Sequence, residues 1–90
     1  MQIVYDPPKD KLNRKNHGLS LEMAKTLEWQ DALVWVDERF AYDEVRMSGL
    51  VPGGERLYYV AFVEREKLSR VISLRFAERR EIKHYVENYS

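Results

Sequence analysis

The sequence has no cysteine among its 90 residues, which excludes a disulfide staple and a thiolate nucleophile. It has only two histidines, so a zinc site would need carboxylates to complete its ligands. No apolar run approaches the length that spans a membrane, and the first residues, MQIVYDPPKD, lack the apolar stretch of a signal peptide. These absences predict a cytoplasmic protein.

The net charge is zero, but the charges are unevenly distributed along the chain. Residues 1–18 carry four basic and two acidic side chains, and residues 65–90 carry seven basic and four acidic ones. The stretch 19–64 carries four basic and nine acidic side chains. If the two ends meet in the fold, they form a basic patch that the overall balance conceals. The simpler alternative is that these charges only cover a solvated surface.

Ninety residues supply a single core, so we predict one domain over residues 1–90. Gln2–Tyr5 is typical of a short strand. Asp6, followed by proline, predicts the start of a helix whose free amides the Asp side chain caps. This helix is expected to run to about Asn16 and to end at Gly18, with Leu12 as its only large inward aliphatic.

The next segment has the features of a second helix. Ser20 is placed to cap it, and Met23, Ala24 and Leu27 fall at helical spacing. Ala32–Val36 is wholly apolar and predicts a short strand.

Three further strands follow, at Glu44–Val51, Arg56–Val63 and Ser69–Phe76. The connections between them, including the turn at Pro52–Glu55, are too short for a parallel crossover, so the strands are expected to form an antiparallel meander. Arg56–Val63 is apolar on both faces and is therefore predicted to be the interior strand.

A last helix is predicted over Glu78–Asn88, with a buried stripe of Ile82, Tyr85, Val86 and Tyr89. The predicted fold class is thus α+β: a small antiparallel sheet with two N-terminal helices and one C-terminal helix.

Arginines interrupt the strands. Arg46, Arg70 and Arg75 lie in segments otherwise suited to burial, and Arg65 lies at the end of the most hydrophobic strand. A guanidinium is not neutralised at working pH, so each needs a carboxylate or an external anion, and phosphate fits its planar fork. Alternatively, Arg46 pairs with a carboxylate and Arg70 extends from a sheet edge. Strict alternation along the last strand places Arg70 and Arg75 on opposite faces.

Three blocks of the sequence resemble the signatures of the BrnT family, the RNA-cleaving toxins of bacterial toxin–antitoxin pairs. They are Tyr5-Asp6-Pro7-Pro8-Lys9 with Asn13 and His17-Gly18-Leu19-Ser20-Leu21-Glu22; Asp37-x-Arg39-x-x-Tyr42 with Glu44-x-Arg46; and Arg70 to Ala77 with Arg80-Glu81 and Tyr85. The blocks occur in the family's order and span nearly the whole chain. One departure is Asn16, where members commonly carry a lysine before the His-Gly pair; Lys15 precedes it on a different helical face. The segment Pro52–Glu55 also fits the usual hairpin length poorly.

The resemblance implies a RelE-like fold and RNA cleavage that needs neither a metal nor another cofactor. It also implies a cognate BrnA-like antitoxin that carries a DNA-binding domain and represses the shared operon together with the toxin. Contact with DNA is then expected only through the antitoxin complex. Two other functions stay open. The protein could be a catalytically silent member of the family that only binds its antitoxin, or an unrelated small interaction module that uses its arginines to bind an acidic peptide.

In metal-independent cleavage the ribose 2′-hydroxyl attacks the adjacent phosphate, so the protein supplies an acid, a base and positive charge. We assign Arg65 and Arg75 as phosphate-stabilising cations and His17 as acid or base. Glu44 or Glu81 is the candidate base, although either fits a role in orienting an arginine. The other RNA-binding candidates are Lys15, Arg46, Arg70, Arg79 and Arg80.

Alternative roles exist for several of these side chains and for the aromatics. His17 also suits a helix C-terminus, where the dipole favours a cation. Tyr58 and Tyr59 fit the core better than a base-stacking platform. The aromatic candidates for antitoxin contact are Tyr5, Trp29, Trp35, Phe40 and Tyr42, of which Trp35 also fits the core.

Overall fold

A computed structural model of the chain describes residues 2–38 and 44–88, and in these ranges five strands form one sheet in the order β1-β5-β4-β3-β2. The elements are β1 (Gln2–Val4), α1 (Pro7–His17), 3-10 helices at Leu21–Thr26 and Trp29–Asp31, β2 (Leu33–Val36), β3 (Arg46–Gly53), β4 (Arg56–Arg65), β5 (Leu68–Phe76) and α2 (Arg79–Asn88). The α+β class is confirmed. None of the helices in the described ranges is long and apolar enough to cross a membrane.

The meander is confirmed, because β4 pairs antiparallel with both β3 and β5 and lies in the interior of the sheet. β2 adds a further antiparallel strand next to β3. The expectation of a purely antiparallel sheet is wrong at β1, which pairs parallel with β5 so that Val4 lies opposite Arg70. A parallel pair needs a long connection, and the whole chain between β1 and β5 provides it.

α1 begins after Asp6 and ends at Gly18, whose φ of 72° is the left-handed conformation that glycine adopts readily. Asp6 is the N-cap residue, but its side chain forms no capping hydrogen bond. Such a bond goes to the second or third amide of the helix, and Pro8 at the second position has no N–H to donate.

The predicted second helix is wrong in type: Leu21–Thr26 is a 3-10 helix, capped by the Ser20 hydroxyl, which accepts a hydrogen bond from the Glu22 N–H. Leu21 and Ala24 within this helix, and Leu27 directly after it, are buried. Their spacing of three residues matches the three residues per turn of a 3-10 helix, so one apolar edge points steadily at the sheet.

The core lies on one face of the sheet, against this 3-10 helix. Its sheet residues are Val51, Tyr58, Val60, Phe62, Val71 and Leu74. α1 contributes a polar side chain: Asn13 is 3% exposed, whereas Leu12, the predicted inward residue, is 52% exposed. The Asn13 amide donates to the carbonyls of Leu19 and Leu74 (2.8 Å each) and accepts the Leu74 N–H (2.9 Å). It therefore satisfies the backbone of β5 where β1 has ended.

α2 turns a polar side toward the sheet. Glu81 and the Tyr85 hydroxyl reach Arg75 and the Asp31 carbonyl respectively, whereas Ile82 and Val86 are 44% and 66% exposed. The predicted buried stripe is therefore wrong for these two aliphatic residues, and its last member, Tyr89, lies outside the described residues.

Candidate functional site

The strand register brings four of the five arginines in the described strands to one face of the sheet, the face away from the core. Arg46 and Arg70 lie opposite Val63 from either side, and Arg75 lies opposite Tyr59. Val63 and Tyr59 share a face of β4 because their positions differ by an even number, four, and Arg65, two positions beyond Val63, shares it too. We call Arg46, Arg65, Arg70 and Arg75 the arginine face.

Arg70 and Arg75 share this face because β5 contains a bulge, which strict alternation did not predict. Ala61 of β4 pairs with Ser73 and the next residue, Phe62, pairs with Val71, so Ile72 has no partner across the strands. One extra residue in a strand shifts every following side chain to the other face. The predicted placement of these two arginines on opposite faces is therefore wrong.

Arg75 is held at one end of the arginine face. Its guanidinium donates two hydrogen bonds to the Glu81 carboxylate (2.8 and 3.0 Å) and one to the Phe76 carbonyl (3.1 Å). Its Cζ also lies 4.3 Å from the centre of the Tyr59 ring. The side chains of Arg75 and Glu81 are only 27% and 14% exposed. The pair is thus fixed both by geometry and by partial burial.

The charges of this pair are stabilised by each other. Burial raises the pKa of Glu81, but hydrogen bonds from Arg75 and from the Glu78 N–H (2.7 Å) outweigh it and leave that pKa below its usual value. The hydrogen bond to Glu81 in turn raises the pKa of Arg75. A carboxylate with a lowered pKa is a poor proton acceptor. Glu81 is therefore placed to position Arg75.

Glu44 occupies the other end of the arginine face. Its two carboxylate oxygens accept separate hydrogen bonds, one from Arg65 at 2.6 Å and one from Arg70 at 2.9 Å. The side chains are more open than at the first end, with Arg65, Arg70 and Glu44 being 71%, 43% and 31% exposed. A cavity of about 160 Å³ lies beside them, lined also by Val4 and Val63.

Four other predicted site residues lie on the two helices rather than on the sheet. Arg79 and Arg80 are exposed in the first turn of α2, and Arg80 pairs with Glu78 at 3.4 Å. His17 and Lys15 are exposed near the end of α1. His17 follows Asn13 by one helical turn and so lies on the side of α1 that faces β5. Within residues 2–38 and 44–88, neither His17 nor Lys15 forms an ion pair with Glu44 or Glu81, the two carboxylates of the arginine face.

The structure adds two aromatic residues that the sequence did not assign to the site. The Tyr59 hydroxyl lies 2.7 Å from the Ser48 Oγ, and its ring carries Arg75 on one face. Trp35 is 37% exposed rather than buried in the core, and its ring centre lies 6.2 Å from that of Tyr59. Only the strand register reveals that Trp35, Ser48 and Tyr59 stand side by side, because they belong to three different strands.

Of the five aromatic residues predicted to contact a partner, three can be compared with the structure. Tyr5 and Trp29 are half-buried, with the Tyr5 hydroxyl bonded to Glu22 and the Trp29 ring packed edge-on against Phe62. Phe40 and Tyr42 lie outside the described residues. In the part of the chain that is described, no three His, Asp or Glu side chains are grouped so as to hold a metal ion.

Comparison with known proteins identifies the family. No individual curated protein matches the sequence. A family model described as "Ribonuclease toxin, BrnT, of type II toxin-antitoxin system" matches residues 5–81. The match begins at Tyr5, ends at Glu81 and includes the whole arginine face with both of its carboxylates. The chain belongs to the BrnT family of ribonuclease toxins of type II toxin–antitoxin systems.

Proposed function

We propose that this chain is an endoribonuclease toxin that cleaves RNA on the arginine face without a metal ion. The observation that carries the proposal is the strand register, which gathers four permanently charged guanidinium groups on one sheet face around two carboxylates. Clustered arginines bind the phosphates of nucleic acids, and their planar forks grip two phosphate oxygens at once. A single-stranded RNA laid along this face meets a cation at each end of it.

The two ends of the face suit different parts of the reaction. Arg75 is already oriented by Glu81 and Tyr59, so its charge is in place before the substrate arrives. A charge that is preorganised in this way stabilises the transition state without a further cost of reorganisation. Arg65, at the other end, is the second phosphate-stabilising cation. Arg46 and Arg70 bind neighbouring phosphates. Lys15, Arg79 and Arg80 extend the RNA path beyond the sheet.

Glu44 is the base in this proposal, because phosphate binding itself prepares it. Its carboxylate is held by Arg65 and Arg70 in the free chain. When a phosphate takes over these guanidinium groups, Glu44 loses its compensating charges and becomes a better acceptor for the 2′-hydroxyl proton. Glu81 keeps its bond to Arg75 and only positions it.

His17 is the proposed acid that protonates the departing 5′-oxygen. Histidine is the side-chain type best suited to donate or accept a proton at cellular pH. The place of His17 on the β5-facing side of α1 puts it along the same strand that carries Arg70 and Arg75. RNA that runs from the arginine face across β5 toward the end of α1 reaches both.

The toxin family further supports a protein partner. In the proposal, a cognate BrnA-like antitoxin neutralises the chain, and the complex represses the operon through the DNA-binding domain of the antitoxin. The toxin itself then contacts DNA only as part of that complex.

The test is cleavage of a single-stranded RNA by the purified chain in the presence of EDTA. We expect fragments that end in 2′,3′-cyclic phosphate, the product of attack by the 2′-hydroxyl. A matched pair of variants separates this activity from that of a contaminant. We expect Arg75→Ala to lose the cleavage activity and Arg56→Ala to keep it. Arg56 is exposed and lies over the Phe76 ring on the other side of the sheet. Absence of cleavage, or cleavage that requires Mg²⁺, would refute the proposal.

One observation favours a second candidate, a silent member that only binds its antitoxin. Arg65, Arg70 and Arg75 each already hold a carboxylate in the free chain. Expression of the chain alone distinguishes the two: growth arrest that Arg75→Ala relieves supports the nuclease, and unimpaired growth with retained antitoxin binding supports the silent member.

A further inference from the structure

A groove lies beside the arginine face, between β2 and the start of α2. Its volume is about 500 Å³, and its lining residues are Trp35, Val36, Asp37, Glu38, Tyr59 and Glu81. The groove adjoins Arg75 through two of these residues, since Glu81 and Tyr59 both contact the Arg75 guanidinium. Whatever occupies the groove therefore borders the proposed catalytic cation.

The aromatic wall of the groove is formed by Trp35. Its ring meets the rings of Tyr59 and His84 edge to face, at interplanar angles of 67° and 86°, so neither neighbour stacks in parallel on the indole. Trp35 is 37% exposed, which is high for the largest aromatic side chain on a sheet. Tyr59 has less ring surface open to a ligand, because the guanidinium of Arg75 already covers one face of its ring.

The described lining of the groove is acidic. Of the residues in 2–38 and 44–88 that line it, Asp37, Glu38 and Glu81 carry carboxylates and none is basic, and Glu81 is paired with Arg75 at the border of the groove. Such a lining repels the phosphates of RNA and favours a cation. An indole face beside carboxylates suits a guanidinium in particular, because the flat group stacks on the ring while its edge donates paired hydrogen bonds to a carboxylate.

We propose that this groove binds an arginine side chain presented by a protein partner. The inference rests on the proposed function in one respect, namely that the partner is the antitoxin of the pair. The arginine stacks on Trp35 and pairs with Glu38, which is exposed at the end of β2. Arginine anchors in aromatic pockets are among the residues that contribute most to protein interfaces.

This position of the anchor accounts for neutralisation by direct blockage. A partner chain seated in the groove covers the surface next to Arg75 and Glu81, where RNA has to lie. Val36, which is exposed on the edge strand β2 and lines the groove, adds an apolar contact for the same partner. Binding and inhibition then follow from one contact.

The experiment is a titration of the free chain with three small probes, followed by NMR at the tryptophan indole N–H. The probes are the capped peptide Gly-Arg-Gly, its citrulline analogue, and guanosine monophosphate. Trp29 is the internal control, since its indole donates to the Ala24 carbonyl at 2.8 Å and lies away from the groove. The variant Trp35→Phe assigns the Trp35 signal.

We expect the arginine peptide to shift the Trp35 signal saturably, with a Kd on the order of millimolar for a single side chain, and to leave Trp29 unchanged. The citrulline peptide has the same shape without the charge and is expected to give no saturable shift. Glu38→Gln weakens binding about threefold or more, because the amide keeps one acceptor oxygen but loses the negative charge and the second acceptor of the paired hydrogen bonds. Glu55→Gln, which removes an equal charge from the β3–β4 turn, does not weaken it.

Three results would overturn the inference: no saturable shift, equal binding of the citrulline peptide, or saturable binding of the nucleotide in place of the arginine peptide. The last result would make the groove a base-binding subsite. The titration needs no catalysis, so its outcome is separate from that of the cleavage test. A chain that cleaves RNA but ignores the peptide refutes only this inference, and one that binds the peptide without cleaving RNA refutes only the nuclease.

Discussion

The two ends of the arginine face use the same residue types in different surroundings. Arg75 and Glu81 form a half-buried pair with side-chain exposures of 27% and 14%, whereas Arg65 and Glu44 are 71% and 31% exposed. Water and salt weaken an exposed ion pair, while a half-buried one keeps its strength and becomes costly to break. We conclude that the end with Arg75 and Glu81 is preorganised and that the end with Arg65 and Glu44 is exchangeable.

The origin of the difference lies in what else each carboxylate bonds. Glu81 also accepts the N–H of Glu78 and so closes the first turn of α2 while it holds Arg75. Glu44 stands two residues before β3, and the ion pairs described for it are those with Arg65 and Arg70. A phosphate that arrives at Glu44 displaces a contact between side chains, whereas one that displaces Glu81 also disturbs a helix start.

The largest expected effect is that of Arg75→Ala on cleavage. Loss of one preorganised charge donor typically lowers the rate about a hundredfold to a thousandfold. Because Glu81 is then left half-buried without its partner, we also expect the free energy of unfolding to fall by about 1–3 kcal/mol. RNA cleavage and thermal melting measured on the same purified variant test both parts.

Arg75→Lys separates charge from geometry at this position. Lysine keeps the charge but cannot form the paired hydrogen bonds to Glu81, so we expect only partial recovery of cleavage. Unchanged cleavage in Arg75→Ala together with a clear drop in melting temperature would show that Arg75 is structural only.

The sequence predicted the strands of the sheet better than the helices, for a physical reason. Arg56–Val63 is apolar on both faces, a pattern that only a central strand satisfies, and it proved to be the core of β4. The segment after Ser20 has apolar residues at spacings that suit both an α-helix and a 3-10 helix, so local pattern did not separate them. β1 was predicted as a strand, but its parallel pairing depends on residues more than sixty positions away.

The candidate site was predictable by residue type and not by arrangement. Arginines in strands indicated an anion or a carboxylate partner, and Glu44 and Glu81 were among the carboxylates considered. Arg70 and Arg75 share a face only because Ile72 is left unpaired in a bulge of β5. No preference of the amino acids at these positions predicts that bulge. Asn13 was noted only as part of a family motif, although it bonds the β5 edge.

Next in size is the effect of Glu44→Gln, at the exchangeable end. If Glu44 is the base, the amide lowers cleavage about a hundredfold, within the usual range for general-base catalysis. The stability should change by less than about 1 kcal/mol, because the pairs it breaks are exposed. A cleavage assay across pH 5 to 9 with melting curves tests this; a rate within threefold of the parent chain would remove Glu44 from the mechanism.

A smaller effect on cleavage is expected from Glu81→Gln, which reports on the preorganised end through stability. The pKa of Glu81 is lower in the folded chain than its ordinary value of 4.5, so its charge stabilises the fold above pH 4.5 and this contribution is lost as pH falls through the folded pKa. We expect the variant to be about 1–2 kcal/mol less stable at pH 7 and to approach the parent chain at pH 3. Cleavage falls about tenfold, since Arg75 keeps its charge but loses its orientation.

That pH dependence distinguishes Glu81 from Glu44 directly. The matched variant Glu44→Gln is expected to show a smaller stability difference at pH 7. Equal stability losses in the two glutamine variants at neutral pH would contradict the division of the face into a preorganised and an exchangeable end.

The smallest expected effect is that of Arg70→Ala on RNA binding, and salt dependence is the sharpest way to see it. Each phosphate neutralised on a single strand contributes about −0.7 to the slope of log K against log salt concentration. The Arg70→Ala substitution should therefore make the slope shallower by about 0.7 and weaken RNA binding a few-fold at low salt. The melting temperature should stay nearly unchanged, because the Arg70 side chain is 43% exposed. Arg56→Ala, which removes an arginine from the other side of the sheet, should leave the slope as it is. If the two variants change the slope equally, the arginine face binds RNA only through the general charge of the chain, and its strand register plays no part in recognition.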